Sequence, residues 1–206
     1  MSSELIRMLW DSFVETVIMV GLSGAIGAAF GIPLGILLHV TDQGGVHPMP
    51  LFNKILGWII NAVRSTPFII LLVAIIPLTR VIAGTSIGTA AAVVPLTISV
   101  APFIARLVET SLREVDKGLV EAAQAMGATN LQIVTKVLLP EARPGIVAGL
   151  TMAGAIGGGG LGDMGIRYGY QRFMPDVMLA VVVILIVFVQ AMQSLGDWLV
   201  RKLSHK

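Results

Sequence analysis

The chain has 206 residues, of which 55% are hydrophobic and only 13% charged, and its mean hydropathy is +0.88. Soluble domains average about 25% charged residues, so this composition indicates a membrane protein. The net charge of +2 gives no indication of a nucleic-acid partner. The absence of cysteine excludes disulfides, thiol nucleophiles and thiolate metal sites.

Long runs without charge predict membrane-spanning helices. Residues 16–41, 81–105 and 177–196 contain no Asp, Glu, Lys or Arg. Each run supplies the roughly 20 residues that a helix needs to cross a bilayer. Lipid cannot satisfy an open sheet edge, and the alternation typical of barrel strands is absent. We therefore predict an all-α, polytopic helix bundle.

Two further runs are less regular. Residues 55–79 are interrupted only by Arg64, and residues 144–162 are uncharged but carry eight glycines. Arg64 is either a side chain that reaches toward the headgroups or a functional residue within a span. With these two runs we expect about five transmembrane helices. The predicted spans are residues 12–40, 55–78, 82–106, 144–162 and 177–199.

Basic residues are distributed unevenly between the two sides of this arrangement. One side carries more than twice as many as the other, with Arg64 left uncounted. The positive-inside rule makes the richer side cytoplasmic, so we expect the N-terminus outside and the C-terminus in the cytoplasm. The cytoplasmic set is Lys54, Arg106, Arg113, Lys117, Lys136, Arg143, Arg201, Lys202 and Lys206, and the outer set is Arg7, Arg80, Arg167 and Arg172.

Glycines in the first span recur at helical spacing. Gly27, Gly31 and Gly35 are four residues apart and share one helix face. Small residues at this spacing let helix backbones approach closely in lipid. The seam either packs within the subunit or forms a subunit–subunit or pore-lining contact. We expect Pro33, in the same run, to kink the helix.

Residues 114–142 form a polar, helix-forming segment between two apolar spans. Asp116 can cap a helix that starts at Lys117, because its carboxylate accepts a bond from a free N–H of the first turn. Gly127 is a natural stop for this helix, since glycine tolerates the left-handed conformation that ends many helices. The apolar residues of this helix at helical spacing are Leu119, Val120, Ala123 and Met126.

A second helix is predicted to follow at once. Thr129 and Gln132 have the spacing of a capping box, and Pro140 and Pro144 are expected to end the helix. Its apolar face consists of Leu131, Val134 and Leu138. The two helices are either an interfacial amphipathic hairpin that merely connects two spans or a handle that another protein binds.

The same segment resembles the EAA loop of ABC importer permeases. Glu121-Ala122-Ala123 is followed after three residues by Gly127, and nine residues later by Val137, Leu139 and Pro140. Val137 stands where that family usually has isoleucine. The resemblance implies a coupling helix seated in a groove of a separate ATPase subunit. The implied coupling residues are Glu121, Ala122, Ala123, Met126, Gly127, Leu139 and Pro140.

Other motifs are similar to the methionine-uptake branch of that family. They are Arg64-Ser65-Thr66-Pro67-Phe68, residues 76–82, residues 102–106 and the glycine run 157–162. The resemblance covers nearly the whole chain and implies one permease domain, residues 1–206, of a type I importer. It also implies a homodimer in the bacterial inner membrane, two ABC ATPase subunits and an external methionine-binding lipoprotein. Between Pro144 and the glycine run, this chain is shorter than that family.

The chain itself offers no nucleotide site. A Walker A loop needs Gly-Lys-Ser/Thr to hold phosphates, and no Gly-Lys pair occurs here. We therefore expect a permease and not an enzyme, with no cofactor or metal of its own and with ATP-Mg on the partner ATPase. The candidate residues of the translocation path are Asn61, Ser65, Thr97, Ser99 and Met152.

Three alternatives remain open at this point. The solute could be another small amino acid instead of methionine. A secondary transporter should show internal repeats and ionisable groups inside the membrane, which the sequence lacks apart from Arg64. A membrane scaffold without transport would not need the spacing from Glu121 to Pro140.

Overall fold

The structure is a computed structural model that describes residues 3–154 and 160–204. Within these residues the regular structure is helical throughout. The α-helices are α1 (Ser3–Thr41), α2 (Pro50–Ser65), α3 (Phe68–Ala74), α4 (Ile76–Ala83), α5 (Thr89–Arg113), α6 (Lys117–Ala125), α7 (Asn130–Ile133), α8 (Leu139–Gly154), α9 (Leu161–Met164) and α10 (Pro175–Ser204). Two π-helical segments, Val134–Leu138 and Gly165–Gln171, follow α7 and α9.

Three helices, α1, α5 and α10, are long and apolar enough to cross a membrane. They match the three charge-free runs of the sequence. Gly27 lies against Val100, and Gly35 lies against Val108, so α1 and α5 run in the same direction. The carboxyl ends of α1 and α5 therefore lie at the same end of the bundle, and Val177 and Val181 of α10 pack with Leu9 near the start of α1.

The second predicted span, residues 55–78, is not one continuous helix. Helices α2 and α3 together are apolar enough for a crossing, but they meet at an angle of 106°. Thr66 has extended backbone angles immediately before Pro67. A proline disfavours the helical conformation in the residue before it and donates no backbone bond, so the helix breaks there. The third span also starts later than predicted, at Thr89.

The glycine face of α1 packs within the chain. A Cβ added at Gly31 would lie 2.7 Å from the Ala101 carbonyl oxygen, and one at Gly35 would lie 2.5 Å from the Ala105 carbonyl oxygen. The backbones of α1 and α5 thus touch along a seam that only glycine allows. This decides between the two interpretations of the glycine face in favour of packing inside the subunit. Helix α1 continues through Pro33 as one element.

The predicted fourth span, residues 144–162, lies only partly within the described residues. Helix α8 has 16 residues, roughly 24 Å at 1.5 Å per residue, which is less than the ~30 Å hydrocarbon core. Residues 155–159, including most of the glycine run, lie outside the described residues. The chain resumes at Gly160, where the N–H of Leu161 donates to Thr16 Oγ1 at 2.9 Å.

Candidate functional site

Helix α6 has a defined start and a defined end. Asp116 Oδ1 accepts a hydrogen bond from the Gly118 N–H at 2.7 Å, which confirms the predicted cap. At the other end Gly127 has φ +79°. The Gly127 N–H donates to the Gln124 carbonyl and the Ala128 N–H to the Ala123 carbonyl. This pair of bonds is the Schellman motif, so Gly127 ends α6 as predicted.

The second helix starts as predicted but does not end where predicted. Thr129 Oγ1 accepts from the Gln132 N–H, and Gln132 Oε1 accepts from the Thr129 N–H, which completes the capping box. The chain then stays helical through Pro140 and Pro144 to the end of α8, so the expectation that these prolines stop it is wrong. The turn before Pro140 widens into a π-helix, Val134–Leu138, and this accommodates the missing N–H and the bulk of the proline ring.

We call residues 114–142 the coupling segment. It packs against the carboxyl-terminal half of α5 through side chains that are almost completely buried. Ala123, Ile133 and Leu138 share one core with Val108 and Leu112 of α5. Because these side chains come from α6, α7 and the π-helix, the whole segment is attached to α5, and Ile32 and Ile36 of α1 pack against the same core.

Several apolar side chains of the coupling segment have no partner in the core. Met126 is 81% exposed and Leu131 is 73% exposed, although both belong to the predicted apolar faces. Glu121 and Ala122 are exposed beside them. Large apolar side chains that flank a capped, well-rooted helix are typical of a binding surface, because a passive connector would bury or replace them. Of the seven predicted coupling residues, Ala123 is buried and Leu139 and Pro140 are half-buried.

A buried carboxylate beside this segment belongs to a network of ion pairs that joins α5 to the end of α1. Glu109 of α5 is 3% exposed. Its oxygens lie 2.6 Å from Arg106 and 2.8 Å from Arg113. Arg113 also pairs with Asp42, just after α1, at 2.9 Å. A buried charge must be paired to be tolerated, so these contacts hold the end of α1 onto α5.

Arg106 extends the network to α2. Its Nη2 donates to the Gly57 carbonyl at 3.2 Å and to Asn61 Oδ1 at 3.0 Å. We call the set of six residues the ionic clamp: Asp42, Gly57, Asn61, Arg106, Glu109 and Arg113. Sequence reasoning missed Glu109, although Arg106, Glu109 and Arg113 are spaced so that they share one helix face. This spacing could have predicted ion pairs among the three side chains.

The candidate path residues do not form one site. Asn61 belongs to the ionic clamp, and Ser65 is exposed at the end of α2. Thr97 and Ser99 are half-buried on α5, and the hydroxyl of Thr97 has no partner among the described residues. Met152 lies in α8, but its side chain lies outside the described residues.

Comparison with known proteins identifies the family. Residues 31–205 match the family model described as binding-protein-dependent transport system inner membrane component. The chain belongs to this family. It is therefore a multi-pass inner-membrane permease, a transport subunit and not an enzyme. This assignment displaces the secondary transporter and the scaffold as alternatives.

Among its relatives, the permease is 53% identical over 203 residues to a probable D-methionine transport system permease of Vibrio cholerae, covering 93% of this chain and 90% of that protein. It is 53% identical over 148 residues to the D-methionine transport system permease of Escherichia coli K12, covering 72% of this chain and 66% of that protein. It also resembles a solved inward-facing structure of the MetNI methionine ABC transporter. That match has a TM-score of 0.95 and 46% identity, and it covers 98% of this chain and 99% of that chain.

Proposed function

We propose that this permease forms the translocation path of an ATP-driven importer for methionine and that its coupling segment binds the ATPase subunit. The observation that carries the proposal is the exposed pair Glu121 and Met126 on a helix that is capped at both ends. Relatives named as D-methionine permeases, and a similar chain in a methionine ABC transporter, support the solute. The whole chain, residues 1–206, would act as one permease domain.

The complex would contain two copies of the permease, two ATPase subunits that hold ATP-Mg, and a methionine-binding lipoprotein outside the membrane. The permease would keep its N-terminus outside and its C-terminus in the cytoplasm. The parallel directions of α1 and α5 support an outer N-terminus, because they put the coupling segment at the end of the bundle opposite the start of α1. An ATPase in the cytoplasm must bind that end.

Energy would reach the bundle by contact. Closure of the two ATPase subunits would displace α6, and the shared core on α5 would carry the displacement into the membrane. The ionic clamp would pass it on to α1 and α2. Alternating access would then be a rocking of helices as near-rigid bodies. In this scheme Glu121 contacts the ATPase groove, Ala122 allows close approach, and Gly127 maintains the angle between α6 and α7.

Reconstitution with the cognate ATPase and binding protein tests the proposal. We expect ATP-dependent uptake of labelled methionine in proteoliposomes, well above the uptake of other amino acids. Glu121→Lys should lower this uptake at least ~10-fold while the complex still assembles, because it reverses a charge at the interface. Asp197→Lys, an exposed charge reversal on α10 outside the coupling segment, serves as the control. Uptake of another amino acid in place of methionine would show that the proposed solute is wrong, but it would not contradict the binding of the ATPase by the coupling segment.

The absence of native cysteine allows a direct test of the contact. Met126→Cys should form a crosslink to the ATPase with a short bifunctional reagent, whereas Leu22→Cys, exposed on α1 far from the coupling segment, should not. If Met126→Cys yields no crosslink in an assembled complex, the ATPase does not bind this surface.

Labelling of Glu4→Cys from outside and of Lys202→Cys only from inside would check the orientation.

A further inference from the structure

The end of the bundle opposite the coupling segment contains a second polar feature, a cavity of about 440 Å³. It lies between α1, the α3–α4 region, the start of α5 and the segment that follows Gly160. Its volume is within the range of small-molecule sites, roughly 300–1,000 Å³. None of the candidate path residues whose side chains the structure describes lines it.

One side of this cavity carries a carboxylate without a protein partner. Glu15 of α1 lines the cavity, directly before the charge-free run that starts at residue 16. No ion pair or hydrogen bond joins its side chain to another residue in the described parts of the chain. Glu15 is exposed, so its carboxylate is accessible to a ligand in the cavity.

The cavity also carries a guanidinium that is only partly used. Arg167 Nε lies 3.0 Å from Asp163 Oδ2 and 3.1 Å from Oδ1. The two terminal nitrogens of Arg167 make no hydrogen bond within residues 3–154 and 160–204. A guanidinium has five N–H donors in a planar fork that fits a carboxylate. Asp163 therefore orients Arg167 and leaves its carboxylate-binding edge available.

Apolar side chains complete the lining. Met19 is 4% exposed and, with Ile76 and Pro95, forms part of the cavity wall. A methionine side chain fits irregular apolar gaps and accepts other flexible thioethers or aliphatic chains as neighbours. Among the described residues, Glu15, Asp163 and Arg167 are the charged groups that line the cavity. Once they are engaged by each other and by the ligand backbone, no further described charge there would pair with a charged ligand side chain.

We propose that this cavity binds a zwitterionic amino acid with an uncharged, apolar side chain, an inference that rests on the proposed function. Glu15 receives the α-ammonium group, the terminal nitrogens of Arg167 bind the α-carboxylate, and the wall at Met19 contacts the side chain. With this site the permease itself contributes to substrate selection, in addition to the selection made by the binding protein. It also lies at the end where an external binding protein would release its ligand.

The test measures binding to the purified permease–ATPase complex without the binding protein. The probes are labelled methionine, methionine amide, which lacks the carboxylate, and N-acetylmethionine, which lacks the ammonium group. We expect Glu15→Gln to weaken methionine binding about 10- to 100-fold, the typical effect of losing a charged hydrogen-bond partner. The same variant should bind N-acetylmethionine as the wild type does. Arg167→Gln should show the mirror pattern, with unchanged binding of methionine amide.

Glu4→Gln, an exposed carboxylate on the same helix outside the cavity, is the matched control and should leave all three affinities unchanged. If Glu15→Gln prevents assembly of the complex, the binding measurements on Arg167→Gln alone test the inference. The inference is overturned if the wild-type complex shows no saturable methionine binding, or if the variants retain wild-type affinity and analogue discrimination. Uptake by the complete wild-type system separates the two proposals. If the wild-type system fails to import methionine, the proposed function is wrong. If it imports methionine normally and the cavity variants keep wild-type affinities, only the proposed binding site is wrong.

Discussion

The two ends of the helix bundle are built differently. At the coupling end, a continuous apolar core and the ionic clamp tie α1, α2, α5 and the coupling segment together. At the opposite end the helices α3, α4 and α9 are short, and Gly84, Gly88 and Gly160 have positive φ. The cavity between them contains a carboxylate that no described residue pairs. The contrast suits a permease that receives force at the end with the ionic clamp and rearranges at the end with the cavity.

The largest expected effect comes from opening the clamp. Glu109→Ala removes the buried counter-charge of Arg106, whereas the exposed Arg113 keeps Asp42. We expect a loss of about 1.5–3 kcal/mol, the range for a hydrogen bond to a charged group. Unfolding of the detergent-solubilised permease by titrated SDS measures this loss. Glu114→Ala, an exposed glutamate five residues later, should change stability by less than about 0.5 kcal/mol. Equal effects of the two substitutions would mean that the clamp does not stabilise the coupling end.

A smaller loss is expected where the backbones of α1 and α5 touch. Gly35→Ala places a methyl group against the Ala105 carbonyl, which is backbone and cannot move aside cheaply. Overpacking of this kind costs about 1–3 kcal/mol. Gly24→Ala on the same helix meets nothing within 4 Å and should be neutral or stabilising by up to ~1 kcal/mol. Thermal unfolding should show a loss of stability for Gly35→Ala and none for Gly24→Ala, and equal stability of the two variants would refute the seam.

The third effect is local to the coupling segment. Gly127→Ala meets no neighbour but must adopt a left-handed conformation, at a cost of about 1–2 kcal/mol. Amide hydrogens at the end of α6 should therefore exchange roughly 5- to 30-fold faster. Gly127→Asn is the control, because asparagine tolerates this conformation better. Identical exchange in the two variants would show that α6 does not depend on the glycine cap.

The smallest effect distinguishes the clamp from the translocation path. Asn61→Ala removes one partly exposed hydrogen bond to Arg106, worth about 0.5–1 kcal/mol. The KM for methionine uptake should stay at the wild-type value, since Asn61 is occupied by the clamp. A several-fold rise in KM with unchanged stability would instead show that Asn61 contributes to the translocation path.

Local features of the coupling segment were predictable from the sequence because they depend on neighbouring residues alone. The Asp116 cap, the Gly127 stop and the Thr129–Gln132 capping box each need only three or four consecutive positions. The long spans were predictable for a similar reason, since a charge-free run of sufficient length has few alternatives in lipid. The stops assigned to Pro140 and Pro144 were wrong because a π-helical turn can absorb a proline that propensity alone would treat as a break.

The sequence by itself determined the class of the protein, its family and the start and end of α6. Only the tertiary structure decided which residues meet across the bundle. It paired Glu109 with two arginines and Asp42, turned the glycine face toward α5, left Met126 exposed and placed Glu15 and Arg167 around one cavity. These contacts join residues far apart in the chain, and the sequence encodes them only through the packing of whole helices.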